Sequence, residues 1–287
     1  ENQEKPDGVG TREIPSLTAP ADVEKGSTNM TNSTDQESIP SGTPGRESKR
    51  AVMNGKPVFV VPNKSVINFQ SEFGLKLLCD GLTFTSGTTC AYSCSFCSVP
   101  TTMRKHMAWM RSHGVIGNHE GIVVRRENPV EIMRRQILSK PEAFRQKKQV
   151  IYASPLVDVA ANMELVRETV ELCKVILANT FWDIRLLSKS NLLPKIAQAL
   201  SEWDIHDRGK ARVIYGVSTG TLDDKLAAAF EEGTPLVSKR IQSLHWLQDN
   251  GFRTFGMICP SLPQHDYLQF AADMHKALRA ELCEHVW

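Results

Sequence analysis

Four short, mostly apolar and partly β-branched runs recur along the chain, at residues 149–154, 183–189, 211–218 and 253–259. Continuous apolar runs of this length, without in-and-out alternation, fit strands buried on both faces of a parallel sheet. Between and after them lie amphipathic stretches at residues 163–178, 192–203, 238–250 and 267–283, where apolar positions return at helical spacing. A shorter apolar strand at 82–85 and a helix near 129–139 come before the first run. Strand alternating with helix predicts right-handed βαβ units. Five units are complete, and residues 285–287 open a sixth strand. The expected fold is α/β, a partial parallel (β/α) barrel of about six units with the last incomplete. A chain that continues beyond Trp287 is expected on the same ground.

The pattern is absent from the first fifty residues. They hold eight apolar residues and no aromatic, too little apolar surface to offset the entropy of ordering. Residues 1–50 therefore read as a disordered tail and 51–287 as the folded domain. Two glycosylation sequons in the tail, Asn29-Met30-Thr31 and Asn32-Ser33-Thr34, read as chance matches. The whole chain is 41% hydrophobic and 23% charged, which excludes wholesale disorder. No apolar run approaches the roughly 18 residues of a membrane span. No charged-then-apolar leader opens the sequence, and a cytoplasmic, reducing location without membrane contact is expected.

Charge changes the picture in one region. The formal balance of +2 divides into 6 basic and 9 acidic residues before position 51, and 28 basic against 23 acidic after it. Residues 103–148 alone carry eleven Lys or Arg and four Glu, among them Arg104, Lys105, Arg111, Arg125, Arg126, Arg134, Arg135, Arg145, Lys147 and Lys148. Either a solvated helix face or a phosphate-binding surface for nucleic acid accounts for that excess.

Seven cysteines complete the inventory. Cys79, Cys173, Cys259 and Cys283 stand in apolar contexts and read as buried thiols. Cys90, Cys94 and Cys97 fall within eight residues, too close to pair off as disulfides in a reducing compartment. Structural zinc wants four ligands, for which only His106, His113 and His119 lie near. Three thiolates on one loop suit a [4Fe-4S] cluster that keeps one iron free of protein ligands.

The Cys90-Ala-Tyr-Ser-Cys94-Ser-Phe-Cys97 run, with an aromatic before its last cysteine and a short strand ahead of it, resembles the signature of the radical S-adenosylmethionine superfamily. The resemblance implies that the open iron chelates the methionine moiety of S-adenosylmethionine and that one electron releases a 5′-deoxyadenosyl radical, which abstracts a substrate hydrogen. It also implies an electron donor of the flavodoxin or ferredoxin kind. In a barrel of βαβ units, ligands bind at the carboxyl ends of the strands. The polar residues there are the cysteines, Ser154, Asp158, Lys189 and Ser218, with Pro260 beside them. Their repetition at one end favours a ligand role for Lys189 and Ser218 over helix caps or a solvated strand end.

Within the superfamily the chain is most similar to the spore photoproduct lyase-like group, over roughly residues 73–287. That resemblance assigns Lys189 and Ser218 to the methionine carboxylate. It puts Ser154 and Asp158 in the cofactor-binding segment after the second strand, where Asp158 and Glu164 match and Ala160 and Asn162 depart. Phe96 falls beside adenine, with Ile258 and Pro260 on the adenine's other side, and Glu231-Glu-Gly-Thr-Pro235 resembles a segment of the group. No catalytic cysteine is identified: Ala153 and Ser154 occupy the region where one would stand, and Cys259, at a strand end, reads as a core thiol. Three readings follow: a lyase-like radical enzyme acting on nucleic acid, a radical enzyme modifying a peptide or small molecule, and a non-enzymatic zinc or iron-sulfur protein.

Overall fold

In the computed structural model, residues 51–75, 79–153 and 155–287 are described; the expected tail at 1–50 lies outside the described residues. The strands, in chain order, are β1 (Val52–Met53), β2 (Lys56–Val61), β3 (Ile67–Asn68), β4 (Leu82–Phe84), β5 (Ser93–Cys94), β6 (Val123–Arg126), β7 (Val150–Ala153), β8 (Asp183–Ser188), β9 (Val213–Ser218), β10 (Glu231–Glu232) and β11 (Arg253–Met257). The principal sheet has the order β11-β9-β8-β7-β4-β3. Its first five members run parallel, and β3 closes that edge antiparallel to β4. At the other edge Val286 forms an isolated parallel bridge to Gly256, so residues 285–287 lie alongside β11 in the sense expected of a sixth strand. The sheet is open: its two edges are not hydrogen-bonded to each other among the described residues.

The apolar runs are strands because helices cover them. All six residues of β9 are buried. The helices are α1 (Glu72–Leu75), α2 (Val99–Ser112), α3 (Pro129–Leu138), α4 (Glu142–Gln146), α5 (Met163–Asn179), α6 (Leu193–Trp203), α7 (Arg208–Arg212), α8 (Asp224–Phe230), α9 (Val237–Asp249) and α10 (Tyr267–Ala277). Helices α3, α5, α6, α9 and α10 contribute Met133, Ile176, Leu200, Leu244 and Met274 to a single core with the sheet. Trp182 is wholly buried there, edge-on to Phe144 at 5.7 Å and to Phe69 at 6.4 Å between ring centroids.

Several features depart from the sequence reading. The third run begins at Val213 because Ala211 and Arg212 complete α7, where the Arg212 guanidinium donates to the carbonyls of Leu177 and Trp182. The last helix ends at Ala277, and Arg279, at φ 48°, leads into a 3₁₀ turn at Ala280–Leu282. A second sheet, order β1-β2-β6, stands beside the principal one and has its own core of Val61, Val99, Met103, Met110 and Val124. Helix α2 supplies Val99, Met103 and Met110 to it, and Gly114, at φ 75°, stops the helix as its N–H bonds the Arg111 carbonyl.

The loops after β9 and β11 are stitched together. Thr219 N–H donates to the Met257 carbonyl at 3.0 Å and Leu262 N–H to the Gly220 carbonyl at 2.9 Å. A Cβ on Gly220 would stand 2.0 Å from the Pro260 carbonyl oxygen. No helix among the described residues is long and apolar enough to cross a membrane.

Gly216 in β9 lies opposite Phe255 of β11, whose ring carbons would meet an added Cβ at 2.2 to 2.5 Å. The ring is buried and stacks on His285 at 5.2 Å, so it has little room to yield. Gly216→Ala is expected to destabilise the domain by about 1–3 kcal/mol through overpacking, seen as a lower thermal midpoint, and Phe255→Leu on the same background should recover part of the loss.

Candidate metal and cofactor site

The cysteine loop is fastened before it reaches its first thiol. Thr89 Oγ1 donates to the Ile122 carbonyl at 2.9 Å and accepts the Val124 N–H at 2.7 Å, while Thr88 N–H bonds the Val124 carbonyl. Gly87 permits this approach: a Cβ there would stand 2.7 Å from the Val124 carbonyl oxygen. Beyond Cys90, whose Sγ accepts the N–H groups of Asp158 at 3.3 Å and Tyr92 at 3.5 Å, the chain enters β5. There Cys94 pairs with Glu231 and Ser93 with Glu232 of β10. The Cys97 N–H turns back to the Cys94 carbonyl, and α2 starts two residues later.

Opposite the loop, the ends of β8 and β9 bring Lys189 and Ser218 together, with the Lys189 ammonium donating to Ser218 Oγ at 3.0 Å. The same ammonium stands 2.7 Å from Glu231 Oε1 and 5.4 Å from the centre of the Phe96 ring. The other oxygen of Glu231 lies 2.6 Å from Arg240 Nη1, and both of these side chains are out of contact with solvent. Arg240 is held in turn by the Pro235 and Ser218 carbonyls and by Thr234 Oγ1. Asp158 spends its carboxylate on the protein, accepting from Ser188 Oγ, the Lys189 N–H and the Ala160 N–H at 2.7 to 2.9 Å. It thereby sets the backbone from which Lys189 projects, while its own N–H touches Cys90.

Burial governs the electrostatics of the thiols. It pushes Cys90 up to about 12 and Cys94 up to about 11, with the Lys189 charge pulling Cys94 back, and it raises Cys97 as well. Three neutral thiols at physiological pH must each release a proton to bind a metal. Lys56, half-buried on β2, donates to the Tyr92 carbonyl at 2.9 Å; burial lowers its pKa, and the thiols and Glu232 draw it back up. Among the described residues no three His, Cys, Asp or Glu side chains converge into a preformed metal site. The donor set still fits an iron-sulfur cluster: three soft sulfur donors on one half-buried loop, with the Lys56 and Lys189 charges to offset an anionic cluster. It fits zinc poorly, because His106 and His113 line a separate cavity and His119 lies 4.0 Å from Glu120.

The remaining expected residues are distributed unevenly. Ser154 lies outside the described residues. Ile258 and Pro260 are half-buried, just beyond β11, and Ser218 Oγ approaches the Cys259 carbonyl at 3.4 Å. Glu164 is exposed in the first turn of α5. Cys259 is exposed, contrary to its reading as a core thiol, because β11 ends at Met257 and the chain has left the sheet; Cys79 and Cys283 are half-buried, and Cys173 alone of the four is fully buried. Within the basic region Arg125 is buried against Glu168 and Arg145 donates to the Lys140 and Asn179 carbonyls, whereas Arg104, Lys105 and Arg111 are exposed on α2. Lys56 and Arg240 escaped the sequence reading, and Glu231 entered it only as part of a resembling segment.

No family model and no curated protein matches this sequence. Solved structures of spore photoproduct lyase share its fold. The complex with dinucleoside spore photoproduct aligns with a TM-score of 0.55 at 12% identity over 77% of this chain. A cysteine-to-alanine variant with the same dinucleoside gives 0.58 at 13% over 78%. A double variant with bound AdoMet and dinucleoside spore photoproduct gives 0.55 at 13% over 77%. In each case the match spans 57% of the length of the solved chain. At these identities the likeness shows a common fold.

Removing the carboxylate between Lys189 and Arg240 leaves a wholly buried guanidinium without its counter-charge. Glu231→Ala is therefore expected to cost about 3–5 kcal/mol. Adding Arg240→Leu should restore much of that loss, and chemical denaturation of the two single variants and the double variant measures the non-additivity.

Proposed function

We propose that this chain is a radical S-adenosylmethionine enzyme, lyase-like and acting on nucleic acid, built on the partial (β/α) barrel of that class. The observation that carries the reading is the juxtaposition of three thiols on one loop with the Lys189–Ser218 pair at the ends of the next parallel strands. Cys90, Cys94 and Cys97 would hold a [4Fe-4S] cluster, which when bound supplies the electron that cleaves S-adenosylmethionine to a 5′-deoxyadenosyl radical.

The protein's own residues bind and orient. Glu231, Arg240 and Lys189 carry one negative and two positive charges, so the trio has one positive charge left over, suited to a single carboxylate. Lys189 and the Ser218 hydroxyl offer that charge and a donor at the same point, for the methionine carboxylate. Phe96, at the Lys189 ammonium, supplies a ring face for the adenine, and Ile258 with Pro260 an apolar surface opposite. Asp158 acts as a positioning residue for Lys189. Ser154 joins this set from its place in the sequence. A flavodoxin- or ferredoxin-like protein would deliver the electron, in the cytoplasm.

The nucleic-acid substrate is supported by the cationic face of α2 and by the dinucleoside photoproduct held in the solved relatives' structures. A peptide or small molecule is the alternative substrate, and a zinc or iron-sulfur protein without catalysis is the alternative activity.

Anaerobic reconstitution should yield iron and sulfide near a four-to-four ratio, a brown chromophore bleached by dithionite, and 5′-deoxyadenosine once S-adenosylmethionine is added to reduced protein. Cys90→Ala, Cys94→Ala or Cys97→Ala should each lose most of the iron. Stoichiometric zinc without iron would overturn the proposal.

Lys189→Ala is expected to weaken S-adenosylmethionine binding by about 1.5–3 kcal/mol, the range for a charged hydrogen bond, with iron content unchanged. Calorimetry on the reconstituted variant checks this, and an unaltered affinity would remove Lys189 from the cofactor site.

A further inference from the structure

The groove that α2 forms with the β2–β3 connection and the end of β6 holds a cavity of about 590 Å³, a size suited to a small organic ligand. Its charged walls are of one sign. Lys64 and Arg126 contribute cations, His106, Trp109 and His113 contribute rings, and no carboxylate lines it. Neither Lys64 nor Arg126 has a carboxylate within ion-pair reach among the described residues. Arg126 is half-buried, the Ser65 carbonyl is the one partner of its side chain among the described residues, and burial brings its guanidinium down to about 10. A half-buried cation without a counter-charge is a place where an anion gains more than it would on the open surface.

Three rings line the cavity beside these cations. His106 and Trp109 on α2 and His113 at its C-cap, spaced i, i+3 and i+7, gather on one side of the helix. The Trp109 and His113 rings lie 4.7 Å apart between centroids, tilted by 43°. His113 Nδ1 is 2.8 Å from the Trp109 carbonyl and 3.2 Å from Ser112 Oγ; a proton on Nδ1 would leave Nε2 as the acceptor. Trp109 is 40% exposed although the apolar core of the small sheet is adjacent. Nor is the cavity remote from the cysteine loop: Thr88, two residues before Cys90, and Leu156, two before Asp158, both line it.

We infer that this cavity binds a phosphate attached to a planar ring, as in a nucleotide, with Lys64 and Arg126 on the phosphate and Trp109 with His113 under the ring. As the seat of a substrate nucleotide it deepens and rests on the nucleic-acid reading above; as a binding site it does not. A free nucleotide and a unit of a nucleic-acid strand present the same chemistry, and the test separates them.

The anaerobically reconstituted full chain is titrated with a short single-stranded oligodeoxynucleotide, with deoxynucleoside 5′-monophosphates and with inorganic phosphate, following tryptophan fluorescence and calorimetry. Binding of either nucleotide probe should quench a signal that Trp109→Phe removes. Lys64→Gln and Arg126→Gln should each weaken it about tenfold or more, from the loss of a charged hydrogen bond. Trp109→Ala should weaken it about five- to a hundredfold, from the loss of stacking. Formation of 5′-deoxyadenosine without substrate should be unchanged in Lys64→Gln and Trp109→Ala, which also keeps the test valid should Arg126→Gln fold poorly. If only monophosphates bind and these variants weaken them, the cavity stands and the nucleic-acid reading falls. If the oligonucleotide binds and Lys64→Gln and Trp109→Ala leave it untouched, the cavity inference is overturned and the reading survives. Phosphate binding as tightly as nucleotide, or no binding by any probe, also overturns the cavity inference.

Discussion

A carboxylate withdrawn from water must be neutralised where it stands, and Glu231 is nearly inaccessible to solvent. It is met on one side by Arg240 and on the other by Lys189, and the three side chains belong to three separate parts of the fold. Glu231 lies on the short strand that pairs with Cys94, Lys189 at the end of β8, and Arg240 on α9 with a donor on the Ser218 carbonyl of β9. Because the cost of leaving any one of these charges unpaired is several kcal/mol, the cysteine loop, the ends of two parallel strands and a covering helix are held in mutual register. Charge pairing thus adds to the hydrogen bonds and strand pairing that already fasten the loop.

Asp158 performs a related task with backbone groups. Its carboxylate is desolvated, which raises its pKa, and is compensated by Ser188, Lys189 and Ala160 donors. Since its amide reaches Cys90 Sγ, the segment after β7 is fixed against both the cysteine loop and the β8 terminus. Small movements of any of the three would disturb the other two, which suits the alignment that the proposed cofactor and cluster would need.

The parts of this arrangement that are legible in sequence are those that carry a local pattern, a continuous apolar run or a helical spacing. The continuous apolar runs identify the parallel strands, and Lys189 and Ser218 stand out because each ends such a run. The partners of those residues carry no period. Glu231 sits on a two-residue strand, and Arg240 lies in the first turn of α9, on a helix surface where arginine is ordinarily a solvated residue. Lys56 depends on β2 pairing with β6 some sixty residues away, a non-local contact that no local pattern announces. Helix α2 did carry a readable signal, with Val99, Met103, Met107 and Met110 at helical spacing, but the surrounding Arg104, Lys105 and Arg111 drew attention to charge instead of burial. Cys259 was misjudged because its apolar neighbours belong to β11 and the strand stops before reaching it.

The stitching of the loops after β9 and β11 bears on how such a molecule could diversify. Two hydrogen bonds and the close approach of Gly220 to Pro260 make those loops a single piece, so an insertion in one would pry apart the other and the Ser218 terminus with it. The stretch between α2 and β6 is different: it turns on Gly114 and Gly117 and leaves Ile116 three-quarters exposed. A change of length in the joined loops is therefore transmitted to the end of β9, whereas one confined to Ile116 and its immediate neighbours meets open solvent.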